Sequence, residues 1–542
     1  MEVFAVGELV SPNFKVVPVT ENASLISTDL QTEIGTSGIF TIKVITGIFE
    51  ILGWKLTAAS DAVKIHSTKE FSLKISPVSN KSKNKTTLNR AYLKSFNFND
   101  AIIDNVSQFF ESATYLLLIT TDESSTLFGK YLESYIESPL YSKRILEKSV
   151  ISFDSSHAFP KYNSIRTHQE WLHFGSTLIK AGKKVIITGG KNAGKSTLLK
   201  YLINKSLASN SKVLVLDFDP GQAEFTVMGC LSAVLVTKPV LGPNFSHLVT
   251  PVKSFYLGAI SVSDCSQQYM QYVKKIIQLC SSVAAYRDIP WFINTMGFTK
   301  SLGTALLKQI VTEIQPTDVI QINSKKREDN FSSNLTKEFI SNNDRVVQQS
   351  LNYKLHVIPS VSTNAYGTFD PSTSGISPAK KRELVVLSYF YEMLNPEKPI
   401  FTDCSPYKFP LNDIRLMITA NDEAVELNMI AKMIALNATL IGLCYEEEPK
   451  LVEFKGFGIV RGVSFKDEEI CIVTPVSEAE LVQVNVIFMA STIQLPSSVY
   501  NVRNGNVKGN IPYMAQIGSS HLNKIIRKSS SRIRMYDKHS TG

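Results

Sequence analysis

Gly189-Gly190-Lys191-Asn192-Ala193-Gly194-Lys195-Ser196 satisfies G-x-x-x-x-G-K-[ST] at every fixed position. It follows an apolar run, Lys184 to Thr188, and opens a helical pattern that starts near Ser196. A buried strand, a glycine-rich turn and a helix start form the context in which this spacing cradles phosphate. Glycines let successive backbone N–H groups converge on phosphate oxygens, and the helix N-terminus adds partial positive charge. Lys195 then serves the β- and γ-phosphates of ATP as a fixed cation, and the Ser196 hydroxyl serves as a Mg²⁺ ligand. The nucleotide-binding stretch is therefore read as Gly189 through Ser196 with Thr197 beside it. The competing reading, a chance glycine turn at a helix start, leaves the preceding strand unexplained.

Working outward, the next apolar strand, Val213 to Leu216, ends in Asp217-Phe218-Asp219-Pro220-Gly221-Gln222-Ala223-Glu224. A P-loop enzyme needs a carboxylate at the tip of a neighbouring strand to hold Mg²⁺ or its water. Asp217 stands at that tip and is read as a metal residue with Ser196. Asp219 follows two residues on, where it could face an acceptor hydroxyl. Either carboxylate could be the general base, and either could instead cap the turn. A GTPase is not expected. Asn323-Ser-Lys-Lys326 has the wrong order for N-K-x-D, and no D-x-x-G follows the second strand.

Strand-like runs continue to alternate with helix-length segments as far as a helix expected over Ser377 to Leu394, which predicts a parallel α/β sheet. Before this region, short strands such as Gly38 to Gly47, Ile48 to Leu56 and Ala62 to His66 follow at hairpin spacing and predict a small β-sandwich. After a linker at Asn395 to Pro399, the texture returns to β-rich. The predicted fold class is α/β: a central P-loop domain with a parallel sheet (156–396), a β-rich N-terminal domain (1–155), and a β-rich or α+β C-terminal domain (397–520). A basic tail (521–542) follows, with six Lys and Arg against Asp537.

Composition excludes several classes. The 542 residues are 44% hydrophobic and 19% charged, which argues for packed cores rather than a disordered chain. The formal charge of +9 permits a polyanionic partner. Six scattered cysteines without C-x-x-C spacing argue against a zinc ribbon or a disulfide framework. No signal peptide or membrane span is expected, and the chain is expected to be soluble and intracellular.

Four blocks together resemble the polynucleotide 5′-hydroxyl kinases of the nucleolar pre-rRNA processing type, relatives of the RNA kinase of the mRNA 3′-end cleavage factor. These are Gly189 to Ser196; Asp217 to Glu224, similar to D-x-D-x-G-Q-x-E; Ile293 to Phe298, where the family has N-T-x-G-W; and Ser377 to Arg382 leading to Tyr389-Phe390, like the family's basic lid helix. Phe298 replaces the usual Trp but keeps a face on which a base can stack. The resemblance implies transfer of the γ-phosphoryl group of ATP, with Mg²⁺, to the 5′-hydroxyl of RNA left by an endonuclease. It implies Gln222, Glu224, Thr295 and Phe298 as RNA contacts and Arg382 as the cation that meets the transferred group. It also implies a Las-type HEPN endoribonuclease as partner in a higher-order complex, and a nuclear, nucleolar location. A partner-regulated P-loop ATPase without an RNA acceptor is the alternative.

Overall fold

The computed structural model describes residues 14–20, 23–36, 38–68, 71–79, 90–94, 98–110, 113–120, 151–153, 165, 167–341, 351–361, 377–394, 404–412, 414–417 and 429–489. The linker expected at 395–399 and the basic tail lie outside them. Among the described residues, no helix is long and apolar enough to cross a membrane.

The N-terminal part folds as two five-stranded sheets, as the hairpin spacing predicts. One runs β1 (Phe14–Thr20), β2 (Ala23–Thr28), β9 (Tyr115–Thr120), β4 (Gly38–Thr46), β7 (Val63–Ser67). The other runs β10 (Ile151–Phe153), β3 (Ile34–Thr36), β8 (Lys74–Pro77), β5 (Ile48–Ile51), β6 (Trp54–Thr57).

The central sheet has a parallel half, in the order β17 (Lys354–Pro359), β16 (Asp318–Asn323), β11 (Lys184–Gly189), β15 (Trp291–Asn294), β12 (Val213–Asp217). Every residue of β12 and β15 is buried, as expected of strands covered on both faces. Residues of β11 alternate between two cores. Ile186 joins helices Ser266–Ser282 and Ser301–Ile314 on one face. Val185 and Ile187 face the helix Lys195–Leu207 on the other.

Beyond β12 the sheet turns antiparallel through β13 (Cys230–Val236) and β14 (Lys253–Tyr256). It then continues into the C-terminal strands β21 (Val452–Ser464), β20 (Leu440–Glu446), β23 (Val486–Phe488) and β19 (Arg415–Met417), while β18 (Tyr407–Pro410) pairs with β22 (Glu469–Val473) against β21. The C-terminal part expected as a separate layer thus extends the same sheet. The seam is one backbone pair, Phe255 with Glu453, reinforced by Lys253–Glu453 at 2.6 Å and the Ser254 hydroxyl donating to Phe454 O at 3.0 Å. Tyr256 stacks on Phe454 and meets Phe488 edge-on, closing the seam with aromatic area.

The N-terminal part is also merged with the kinase core. Asn204 donates to Leu52 O and to Val240 O, Lys205 pairs with Glu50 at 2.8 Å, and Ile34, Phe49 and Ile75 share a core with Leu198 and Leu202. At the opposite seam, Gly258 has φ +66, and a Cβ there would lie 2.3 Å from the Phe488 ring. Gly258→Ala is expected to cost about 1–3 kcal/mol through overpacking. Chemical denaturation with full-length chain should show a lower midpoint, and an unchanged midpoint would contradict the shared core.

Candidate active site

The site lies where the parallel strands end, the usual ligand crevice of open α/β sheets. The loop after β11 needs its glycines for closeness. A Cβ at Gly190 would stand 2.3 Å from Asp329 O, and one at Gly297 would stand 3.0 Å from the Lys191 backbone. Gly194, at φ +102, caps the helix that begins at Lys195. Lys191 and Asn192 are exposed, Ala193 is buried, and Ser196 and Thr197 sit half-buried in the first helical turn.

Lys195 is 8% exposed and donates to Gly189 O at 3.0 Å and Gly190 O at 2.9 Å. Burial lowers the proton affinity of its ammonium, and the Asp219 charge opposes that shift. Two buried polar atoms nearby along the sheet end, Thr188 Oγ1 and Asn294 Oδ1, have no hydrogen-bond partner among the described residues. A glycine cradle, an inward cation and the Thr188 hydroxyl, a donor, fit a phosphate-bearing nucleotide, whereas Asn294 Oδ1 accepts only and suits a water. Among the described residues no group of three or more His, Cys, Asp or Glu could hold a metal ion. The half-buried Ser196 hydroxyl in the first helical turn is a hard oxygen donor of the kind that Mg²⁺ accepts beside nucleotide phosphates and water.

The sequence places Asp217 on the strand adjoining the P-loop strand. The structure differs: β15 lies between β11 and β12, pairing with both. The residue at the intervening tip is Asn294, whose Nδ2 donates to Asp217 Oδ1 at 2.9 Å. Asn294 was legible as the first residue of the block similar to N-T-x-G-W, but no local pattern pointed to its bond with Asp217. Asp217 is 1% exposed and also accepts from Asp219 N at 3.2 Å and Glu224 N at 2.7 Å. Burial pushes its carboxyl up to about 7, helped by the Asp219 charge and opposed by these donors. Asp219 Oδ1 accepts from Gly221 N and Gln222 N, while Oδ2 takes no bond among the described residues. Burial raises its carboxyl as well, against the pull of Lys195.

Two expected RNA contacts are spent elsewhere. Glu224, 3% exposed, pairs with Lys200 Nζ at 2.8 Å and His247 Nε2 at 3.0 Å. Burial alone would raise its carboxyl, but these partners hold it below the usual range. Thr295 is 3% exposed and donates to Ile187 O at 3.0 Å, locking the turn after β15 to β11. Gln222 is exposed at its turn. Phe298 is 39% exposed, and Gly303 lies so close behind it that a Cβ would stand 2.6 Å from the ring. This is a presented aromatic face rather than a core one. Arg382 is half-buried near the start of the helix Pro378–Tyr391 and makes no ion pair among the described residues. The far end of that helix is fixed by Ser388 to Phe245 O and by Tyr389, whose hydroxyl accepts from Phe457 N at 3.0 Å. Movement of the whole helix, as a lid that swings, is opposed by these anchors. Trp171 is buried against Tyr201.

Three family models match consecutive parts of the chain: "Polynucleotide 5'-hydroxyl-kinase NOL9, N-terminal domain" over residues 16–159, "mRNA cleavage and polyadenylation factor CLP1 P-loop" over 189–359, and "NOL9-like, C-terminal domain" over 402–496. Several similar curated proteins are named polynucleotide 5′-hydroxyl-kinase NOL9. That of Drosophila melanogaster is 25% identical over 91% of this chain and 50% of its own length. That of Bos taurus is 31% identical over 61% and 52%, and that of Arabidopsis thaliana 26% over 62% and 93%. The chain thus spans about half the length of the first two. Among solved structures, the Clp1p chain of a Clp1p–Pcf11p complex matches with TM-score 0.52 and 14% identity, covering 88% of this chain and 99% of that one. That likeness supports the fold.

The Glu224 network ties the helix after the P-loop to the carboxylate loop. Removing one charge from a buried pair leaves the other uncompensated, at about 3–5 kcal/mol. Glu224→Gln is expected to lower the melting temperature strongly, and Lys200→Met in the same chain should recover part of the loss. Equal melting of wild type and Glu224→Gln would show that the pair carries no such strain.

Proposed function

We propose that this chain, which belongs to the NOL9 family, is an ATP-dependent polynucleotide 5′-hydroxyl kinase acting on RNA. The observation that carries this reading is the grouping of a buried P-loop lysine, the Asp219 carboxylate that acts on it electrostatically, and an exposed aromatic face at Phe298 on the same sheet end. A bare ATPase has no use for the last of these.

Lys195 and the amides from Gly190 to Ser196 hold the β- and γ-phosphates, since phosphate oxygens offer Lys195 stronger acceptors than the two carbonyls it now meets. Ser196 is the proposed Mg²⁺ ligand, and Asp217 Oδ2, which accepts only the Glu224 amide, keeps a lone pair for a metal-bound water. Bound Mg²⁺ neutralises charge on the β- and γ-phosphoryl oxygens. Asp219 is the proposed general base because its Oδ2 is unengaged, whereas Asp217 is surrounded by donors. Arg382 is the proposed counter-charge for the transferred group, reaching it from the N-terminal end of its helix. The acceptor is proposed to be RNA cut by a Las-type HEPN endoribonuclease partner during pre-rRNA processing, in the nucleolus. The NOL9-type terminal domains support that assignment, and the Clp1p relative, solved with Pcf11p, is an example of this fold in complex with a protein partner.

Incubation with γ-labelled ATP and a 5′-hydroxyl oligoribonucleotide tests the reading. Label on the RNA is expected, and Lys195→Ala should abolish it. Free phosphate with unlabelled RNA would indicate a partner-regulated ATPase instead. The pH profile separates the carboxylates. A base must be deprotonated, and burial raises the Asp219 carboxyl above its ordinary value. The rate should therefore climb as pH rises through that raised value, and Asp219→Asn should flatten the climb. Phe298→Ala should weaken RNA binding by about 1–3 kcal/mol, the size of one base–aromatic stack, with ATP affinity unchanged. Equal RNA affinity in that variant would remove Phe298 from the acceptor site.

A further inference from the structure

The turn after β16, Ser324-Lys325-Lys326-Arg327-Glu328-Asp329-Asn330, is not used by any step above. It is a rigid turn. The Asn330 side chain bonds Ser324 at both ends, accepting from its N–H at 2.6 Å and donating to its carbonyl at 2.8 Å. Ser324 Oγ accepts from Lys326 N, and a short 3-10 turn spans Arg327–Asp329. The turn is pinned to the site on two sides. Its Asp329 carbonyl occupies the space that a Cβ on Gly190 of the P-loop would need, and it accepts from Thr299 Oγ1 at 3.0 Å. Lys300 Nζ donates to Asn330 O at 2.9 Å. Thr299 and Lys300 directly follow Phe298, so the turn is fastened to the loop that presents the exposed ring.

Lys325, Lys326 and Arg327 are all exposed, and none forms an ion pair among the described residues. Unpaired cations on a braced turn lose little freedom on meeting an anion, unlike lysines on a mobile surface. The hydrogen bonds of the turn are made by Ser324, Asn330, Thr299 and Lys300, which leaves the three cationic side chains free to face outward. The neighbouring carboxylates of Glu328 and Asp329 reduce the net charge of the turn but pair with none of the three.

From this arrangement we infer that Lys325, Lys326 and Arg327 form a phosphate-contact strip for single-stranded nucleic acid, carrying the acceptor strand onward from the base stacked on Phe298. The inference rests on the kinase reading above and extends it by naming how strand length is sensed. A dinucleotide ends before the strip. A longer acceptor crosses it.

The test is a triple variant, Lys325→Ala with Lys326→Ala and Arg327→Ala, in the full chain, against a 5′-hydroxyl dinucleotide and a decamer. For single strands, log K falls with log salt by about 0.7 per phosphate neutralised. Losing three contacts should flatten the slope for the decamer by about 2 and weaken decamer binding on the order of 10²-fold near ~0.1 M salt. Transfer to the dinucleotide and affinity for ATP should stay at the wild-type level. Wild-type decamer affinity and salt slope in the variant, with wild-type chain active on both acceptors, overturn the strip and leave the kinase reading standing. Loss of ATP affinity in place of RNA affinity puts the turn at the nucleotide and also overturns it. Failure of the wild-type chain to label either acceptor overturns the kinase reading, and the strip with it.

Discussion

The buried carboxylate of Asp217 organises the sheet end. It collects the amides of Asp219 and Glu224 and the side-chain amide of Asn294. These donors partly offset the burial that pushes its carboxyl up to about 7. In gathering them it fixes three things together: the tip of β12, the tip of β15, and the turn that carries Asp219. Glu224 then extends the same linkage to the helix behind the P-loop through Lys200. The phosphate loop and the carboxylate loop are therefore parts of one bonded unit, which is what in-line transfer demands of groups that act on a single phosphorus.

Electrostatics sort the two aspartates by environment rather than by type. Both are raised by burial, but they differ in what remains open. Asp217 accepts bonds at both oxygens and keeps a lone pair only on Oδ2, while Asp219 keeps one oxygen unengaged among the described residues, in the field of Lys195. In the proposed reaction two carboxylates of the same chemical kind thereby take different roles, as in enzymes where surroundings separate a pair.

The P-loop was readable because its function forces both residue types and spacing onto a local stretch. The sandwich strands were readable from their hairpin spacing, although β2 and β9 send alternate residues into two buried cores. Other features were hidden because they depend on strand order, which no local pattern encodes. Asn294 is separated from Asp217 by many residues and meets it only because β15 inserts beside β12. The antiparallel run through β13 and β14 follows no strand–helix alternation, so the continuation into the C-terminal strands had no local sign. Glu224 read as substrate-facing because it closes a catalytic motif, yet its partners Lys200 and His247 come from other elements. Thr295 was misread for a similar reason, its partner being a carbonyl on the adjacent strand.

The contact of Leu52 with Asn204 bears on how such chains can be divided. Asn204 lies in the helix that begins with Lys195, yet two of its bonds run to the carbonyls of Leu52 and Val240. Beside it, Gly53 packs so tightly on Tyr201 that a Cβ would meet the ring at 3.0 Å. The modules recognisable as sequence families end at 159 and begin again at 189, but the cooperative unit does not respect that cut. A fragment starting at the P-loop strand would expose the back of its own nucleotide helix. Residues near position 50 consequently belong to the same cooperative unit as the P-loop helix, and inherited changes there would read out as loss of that whole unit rather than loss of an accessory domain.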